Sequence, residues 1–473
     1  MSTDLHRRAI ERVLLARLED TQILRVTGPR AAGKTTTCVR VVQQAHGSVV
    51  HLDDPATLTA VSADPVGALR DLPAPVLVDE FQRVPAVLDV VKGDVAATRA
   101  VGRWILCGSA SLPAAGVTID SLGGRVHDVD MGTLTVDERQ DLPEPGFVAD
   151  LVLHGVDHLR GWRAPVPMDR PGLLAEARRG GFPLITDRPT PEARHRGLED
   201  WVRASVIADA AVVGGIRDAD SLRRMLDLYA ATTAQIVPKD SPLADRFGID
   251  RRTVASYRDL LLGLHVIWTL PPLVPGNAVG QVTRSPKLHL VDSGLAAYLA
   301  GRDSDEALAR DPQFTGQLVE TMVANDIRVQ CTAHPTGLRL RHFREDRHEV
   351  DLVIEAQSGA IWGVEVKLAA SPGDRDLSGL RRLARSVGDR FRGGVILCRT
   401  PVGHQVEDGI AIAPIEALWT GAAAGRAARP VSPGRGAARR PGPHGRPAGP
   451  RTPHRHPPAR PGGDEFLDRP RRG

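Results

Sequence analysis

Eight residues, Gly28 to Thr35 (GPRAAGKT), constrain this chain more than any other stretch. They satisfy the spacing G-x-x-x-x-G-K-[ST], follow the apolar run QILRVTG and lead into TTTCVRVVQQA, which suits a helix. Glycines let backbone N–H groups curl inward, and a helix starting there adds the positive end of its dipole, so such a loop can surround phosphates. Lysine is scarce here: five of the 61 basic residues, at positions 34, 92, 239, 287 and 367, the rest being arginine. A compact ammonium fits a cramped loop beside the β and γ phosphates, and a planar guanidinium does not. At average residue frequencies the bare pattern arises by chance in about 2% of chains this long. Gly28, Pro29, Arg30, Ala31, Ala32, Gly33, Lys34, Thr35 and Thr36 are therefore expected to cradle a nucleoside triphosphate, with the Thr35 hydroxyl offered to Mg2+.

The surroundings agree. Short apolar runs at QILRVTG, SVVHLDD, APVLVDE and RWILCGS, separated by helix-length segments, predict parallel strands covered on both faces, so residues 1–140 read as an α/β domain. The third run ends in Asp79 and Glu80, at the carboxyl edge where ligands of parallel sheets sit. Asp79 is expected to hold Mg2+ through water, and Glu80 to orient and deprotonate the attacking water. Ser109, ending the fourth run, stands where a γ-phosphate sensor would; a helix cap or turn serine explains it equally well. Arg125 in SLGGRV is a candidate phosphate contact in its own or a neighbouring subunit.

Beyond residue 140 the pattern changes. Residues 141–220 read as a helical lid or linker containing GGFP at 180–183. Residues 221–284 give a helix, then LADRFGIDRRTVASYRDLLLGLHVI with Gly248 between two short amphipathic segments, then WTLPPL, which suggests a winged helix-turn-helix. Residues 285–415 form a second α/β region with PKLHLVD, LRLRHFR, HEVDLVIEA, AIWGVEVKLA and GGVILCR around the helix QLVETMVANDIRVQ. There EVD at 349–351 and EVK at 365–367 have the PD-(D/E)xK nuclease spacing. Glu365 and Lys367 share one strand face, Asp351 ends a neighbouring strand and Glu320 lies on the preceding helix. Asp351, Glu365 and Glu320, with Lys367, are expected either to bind one Mg2+ and activate water or to persist as a degenerate fold in which Glu365 and Lys367 simply pair. Lys287 is expected to cap or brace the junction between the domains.

Composition restricts the remainder. The chain has 473 residues, enough for several cores. Its four cysteines show no metal-ligand or disulfide spacing. No apolar run is long enough to span a bilayer, and the N-terminus is unlike a signal peptide, so the expectation is a cytoplasmic protein with no membrane association. The net charge of +4 divides into +9 from residue 421 onward (12 arginines against Asp464, Glu465 and Asp468) and −5 before it. The Pro/Gly/Arg-rich residues 421–473 are expected to be a disordered, solvated extension or a nucleic-acid-binding arm, with His444, His454 and His456 a product of composition.

GPRAAGKTT, VDEFQRVP, ILCGSASL, SLGGRV, GGFP, SPKLHLVDSGLAAYL, GQLVETMVANDI and HEVDLVIE…GVEVKLA occur in one order over residues 5 to about 400. In this the chain resembles bacterial and archaeal AAA-like P-loop ATPases that carry a C-terminal domain of unknown function 4143 with a nuclease-like fold. The resemblance implies an additional-strand parallel sheet placing Ser109 between Lys34 and Asp79, followed by the helical and winged-helix middle and a restriction-endonuclease-like α/β domain. It implies ATP and Mg2+ as cofactors and slow hydrolysis. Ala31 and Ala32 depart from the family loop without consequence, since backbone amides bind phosphate, whereas WVRASVIADAAV matches less well and leaves the role of Asp209 open. Three readings follow: an ATPase switch driving a winged-helix and nuclease-like module, an ATP-stabilised DNA-binding or regulatory protein, or an ATP-gated nuclease. DNA and a homo-oligomer are candidate partners.

Overall fold

The computed structural model describes residues 6–108, 124–142, 146–213, 216, 218–276 and 285–420. Strands and helices alternate first: α1 (Ile10–Arg17), β1 (Ile23–Thr27), α2 (Lys34–Gln44), β2 (Ser48–His51), α3 (Pro55–Ala63), α4 (Pro65–Leu69), β3 (Val76–Asp79), α5 (Ala86–Thr98), β4 (Trp104–Cys107) and β5 (Val126–Asp130). All pairings are parallel, in the order β2-β3-β4-β1-β5. The side chains obey the period of two: Ile23, Val76, Val78, Trp104 and Leu106 bury on one face, and Leu24, Val26, Leu77, Ile105 and Cys107 on the other. Each apolar run therefore forms a strand with both faces covered, as expected, and β4 lies between the strand leading into GPRAAGKT and the strand ending in Asp79. Just ahead of the first helix, Arg8 is drawn into a buried network with the carbonyls of Ala32, Gly132 and Thr133.

The middle is helical: α6 (Val136–Arg139), α7 (Phe147–His154), α8 (Arg170–Arg179), α9 (Pro183–Thr186), α10 (Pro191–Val202) and α11 (Ala208–Val213), the last two joined by a π-helical turn at Arg203–Ile207. Side chains at the starts dictate the boundaries. Asp169 accepts from the Gly172 amide and Thr190 from the Ala193 amide, each ahead of a proline in the first turn. Next come α12 (Ala219–Ala231), β6 (Gln235–Ile236), α13 (Asp240–Phe247), α14 (Arg251–Gly263), β7 (Ile267–Leu270), β8 (Pro272–Leu273) and β9 (Lys287–Leu290). Gly248 turns α13 into α14 with φ of 67°, a left-handed conformation that most side chains resist. Strands β6, β9 and β7 form a small antiparallel sheet.

The last part contains α15 (Ser293–Leu299), α16 (Asp305–Arg310), α17 (Pro312–Thr332), β10 (Leu338–Glu345), β11 (His348–Ala356), β12 (Ile361–Val366), α18 (Ser378–Val387), β13 (Phe391–Cys398), β14 (His404–Glu407) and β15 (Ile410–Pro414). A mixed seven-stranded sheet, β14-β15-β13-β12-β11-β10-β8, results. One face shares a continuous core with α17 and the helical middle, from Val136 to Trp419; the other packs Val350, Val353 and Ile396 against Leu380 and Leu383 of α18. Among the described residues no helix is long and apolar enough to cross a membrane.

Candidate functional site

The loop between β1 and α2 is shaped by its own backbone. Gly28 has φ of 147°, and a Cβ there would stand 2.1 Å from the Met131 carbonyl oxygen, so no larger residue fits without moving the chain. Ala31 adopts φ of 59° and Gly33 of 90°. The Lys34 ammonium is buried and donates to the carbonyls of Gly28 at 2.9 Å and Pro29 at 2.8 Å. Burial lowers its pKa, an effect opposed by Cys107, Glu80 and Asp79.

The acids expected beside it are there. Thr35 Oγ1 donates to Asp79 Oδ1 at 3.1 Å, and His51 Nδ1 lies 3.4 Å from Asp79 Oδ2. A hydroxyl and a carboxylate so close form a hard-oxygen donor set that suits Mg2+. Glu80 follows in the left-handed region, with φ of 54°, and accepts a hydrogen bond from the Gln82 side chain. Burial, then the neighbouring Asp79 and Asp53, raises the Glu80 pKa, which makes its carboxylate a stronger base.

Lys34, Thr35, Thr36, Arg30, Ala31, Gly33 and Glu80 line a cavity of about 490 Å3 together with His6, Leu134, Pro183, Leu184 and Asp187 from other parts of the chain. Sequence reasoning did not assign these further residues, although Pro183 is the last of GGFP; His6 and Asp187 meet at 3.1 Å across 181 residues, a separation that no local pattern encodes.

Two further attachments of the loop were also missed. Arg8 donates to the Ala32 carbonyl at 2.8 Å and pairs with Glu138 at 2.9 Å. The Trp201 indole donates to the Arg30 carbonyl at 3.0 Å, while the Arg30 side chain pairs with Asp209 at 3.0 Å. The stretch with the weakest family pattern thus holds the phosphate-type loop, which gives Asp209 a partner. Arg125 is not brought to the site within the chain. Exposed, and with its carbonyl accepting from the Ile23 amide, it precedes β5 at the end of the sheet opposite the loop. Ser109 and residues 421–473, with His444, His454 and His456, lie outside the described residues.

In the C-terminal half Glu320, Asp351, Glu365 and Lys367 do converge. Lys367 Nζ donates to Glu365 Oε1 at 2.5 Å, the Asp351 amide to Glu365 Oε2 at 3.3 Å, and the Val366 amide to Asp351 Oδ2 at 3.0 Å. Lys287 and Glu349 join them: Lys287 Nζ stands 2.8 Å from Glu320, 2.7 Å from Glu349 and 3.4 Å from Asp351. Burial, then Asp351, raises the pKa of both Glu320 and Glu365 to about 8.

Three family models match in succession: an AAA domain at residues 20–140, domain of unknown function 8612 at 173–306 and domain of unknown function 4143 at 315–418. Uncharacterized proteins of Mycobacterium bovis and Mycobacterium tuberculosis are each 28% identical over 351 residues, which is 74% of this chain and 71% of theirs. Similar solved structures include a Walker-type ATPase of Pyrococcus abyssi (15% identity, 63% of this chain and 97% of that chain, TM-score 0.34). Another is the RuvB Holliday junction branch migration motor of Thermotoga maritima (17% identity, 55% and 89%, TM-score 0.27).

Proposed function

We propose that this chain, which carries an AAA-type P-loop domain followed by domain of unknown function 4143, is a Mg2+-dependent ATPase whose nucleotide state repositions its C-terminal half. The single observation that carries the reading is that Lys34, Thr35 and Glu80 line one cavity of nucleotide size, with Asp79 hydrogen-bonded to the Thr35 hydroxyl beside it. On binding ATP, Lys34 exchanges the Gly28 and Pro29 carbonyls for β and γ phosphate oxygens, and the loop amides hold the remainder. Thr35 and Asp79 would hold Mg2+, which when bound supplies neutralising charge along the phosphates. Glu80, positioned by Gln82, orients a water and takes its proton. Pro183, Leu184 and His6 line the same cavity and would receive the adenine.

The link to the remainder of the chain runs through Arg30. Its carbonyl and guanidinium are held by Trp201 and Asp209, so movement of the loop on hydrolysis is felt by α10 and α11. The sequence α12, β6, α13, α14, β7, β9 follows the order of elements in a winged helix. In this reading the exposed Arg251 and Arg252 at the start of α14 face DNA phosphates. Arg125, distant from its own loop, serves a neighbouring subunit in a homo-oligomer.

The second reading is an ATP-stabilised DNA-binding protein without appreciable turnover. The two separate on Glu80→Gln, assayed for phosphate release and for ATP binding with and without DNA. The switch requires hydrolysis by the wild type and binding without hydrolysis by the variant; equal, negligible phosphate release by both selects the second reading.

A further inference from the structure

We propose that the Lys287 ammonium is the resident cation of the acidic cluster in the C-terminal half, standing where the carboxylate spacing would place a divalent metal, so that the native chain holds no metal there. An ammonium has three donors, and Lys287 directs its group at three carboxylates: Glu320 at 2.8 Å, Glu349 at 2.7 Å and Asp351 at 3.4 Å. Its side chain is only 2% exposed. Three further oxygens are committed as well. Asp351 Oδ2 accepts from the Val366 amide, Glu365 Oε1 from Lys367 and Glu365 Oε2 from the Asp351 amide. Among the described residues no group of three or more His, Cys, Asp or Glu side chains is arranged to hold a metal ion.

Lys287 is not a wandering surface lysine. It sits on β9, pairs with Ile236 of β6 on one side and Leu270 of β7 on the other, and precedes the buried Leu288. The ammonium therefore arrives on a fixed strand of one sheet and is received by α17 and β11, elements of another layer. A divalent ion on the same acids would stand within roughly 4 Å of a buried positive charge, a repulsion that a poorly polarisable interior screens weakly. The nearby His289 and His342 supply no alternative cation, since burial, and then Lys287 itself, holds both imidazoles neutral. The cluster thus joins two layers by charge and does not activate water, which removes the ATP-gated nuclease reading. This inference is independent of whether the loop at Gly28 binds ATP.

The test is Mn2+ titration, followed by electron paramagnetic resonance, on the full chain without nucleotide. The wild type is expected to show no tight site that survives Asp79→Ala, a substitution confined to the other site. Lys287→Ala is expected to gain one Mn2+ at least tenfold tighter than anything on the wild type, and Lys287→Ala/Asp351→Asn to lose it. A folded Lys287→Ala protein that gains nothing overturns the proposal. So does a tight wild-type site that Asp79→Ala leaves in place, and that result stands whether or not the Lys287 variants fold.

Discussion

Replacing Lys34 by alanine should weaken nucleotide binding by an amount that the geometry bounds. In the structure the ammonium makes two charge-assisted bonds to neutral carbonyls, at 2.9 and 2.8 Å. Binding a triphosphate replaces these acceptors with anionic oxygens. A hydrogen bond to a charged group is worth about 1.5–3 kcal/mol net; with the ammonium–carbonyl bonds at the low end and the ammonium–phosphate bonds at the high end, two exchanged bonds favour the complex by roughly 3 kcal/mol. At 1.4 kcal/mol per decade, Lys34→Ala should weaken Mg-ATP binding about 100-fold. Arginine should not rescue it, because its planar group does not fit the space the ammonium fills. Isothermal titration with ATP and Mg2+ measures this directly, and thermal unfolding gives an independent readout. At ATP 100-fold above its dissociation constant the wild type should gain about 2.7 kcal/mol, and the variant almost none. Binding by Lys34→Ala within threefold of the wild type would refute the assignment of the loop, whatever the ATPase rate.

Two further outcomes follow from buried groups. Burial raises Asp326 to about 7 from 3.8, so the folded state binds a proton that the unfolded state releases, and stability should fall as pH rises between about 4 and 7. About three pKa units correspond to roughly 4 kcal/mol; Asp326→Asn, whose amide oxygen can still accept from the Trp419 indole now 2.7 Å from Asp326, should flatten that slope in urea unfolding at pH 5 and pH 7, and an unchanged slope would exclude Asp326 as its source. Gly28→Ala adds a Cβ about 1 Å too close to the Met131 carbonyl in a left-handed backbone, so it should cost about 2–4 kcal/mol of stability and most of the ATP affinity; wild-type binding and unfolding midpoint would show that the loop is more plastic than its contacts imply.

The parts legible in the sequence were those encoded locally. Parallel strands buried on both faces read as continuous apolar runs, and GPRAAGKT and VDE carry their chemistry in consecutive residues. Strand β5 escaped because it borders the sheet: VHDVD buries only Val129 fully and shows no apolar run. Spacing likewise brought Asp351, Glu365 and Lys367 together, since Asp351 and Glu365 sit on the paired strands β11 and β12 and Lys367 follows directly after β12. Nothing in the spacing of EVD and EVK announced a lysine from β9, 33 residues before Glu320 and 64 before Asp351. The Trp201 contact spans 171 residues and that of Arg8 with Gly132 spans 124. Such pairings are fixed by tertiary packing, and a single sequence offers no period or motif from which to derive them.

Helix α17 runs for 21 residues, about 30 Å of regular backbone. Along it, Glu320 grips Lys287, Asn325 accepts from the Trp268 indole, Asp326 from Trp419, and Arg328 pairs with Asp130 at the end of β5. One stiff rod is thus bolted to the N-terminal parallel sheet, the small antiparallel sheet and the segment that follows β15. Severing the polypeptide between these regions would not release self-sufficient fragments. A truncated C-terminal half would expose the faces that α17 shares with its neighbours, and a tilt imposed at Asp130 must reappear at Glu320 as motion of the whole rod.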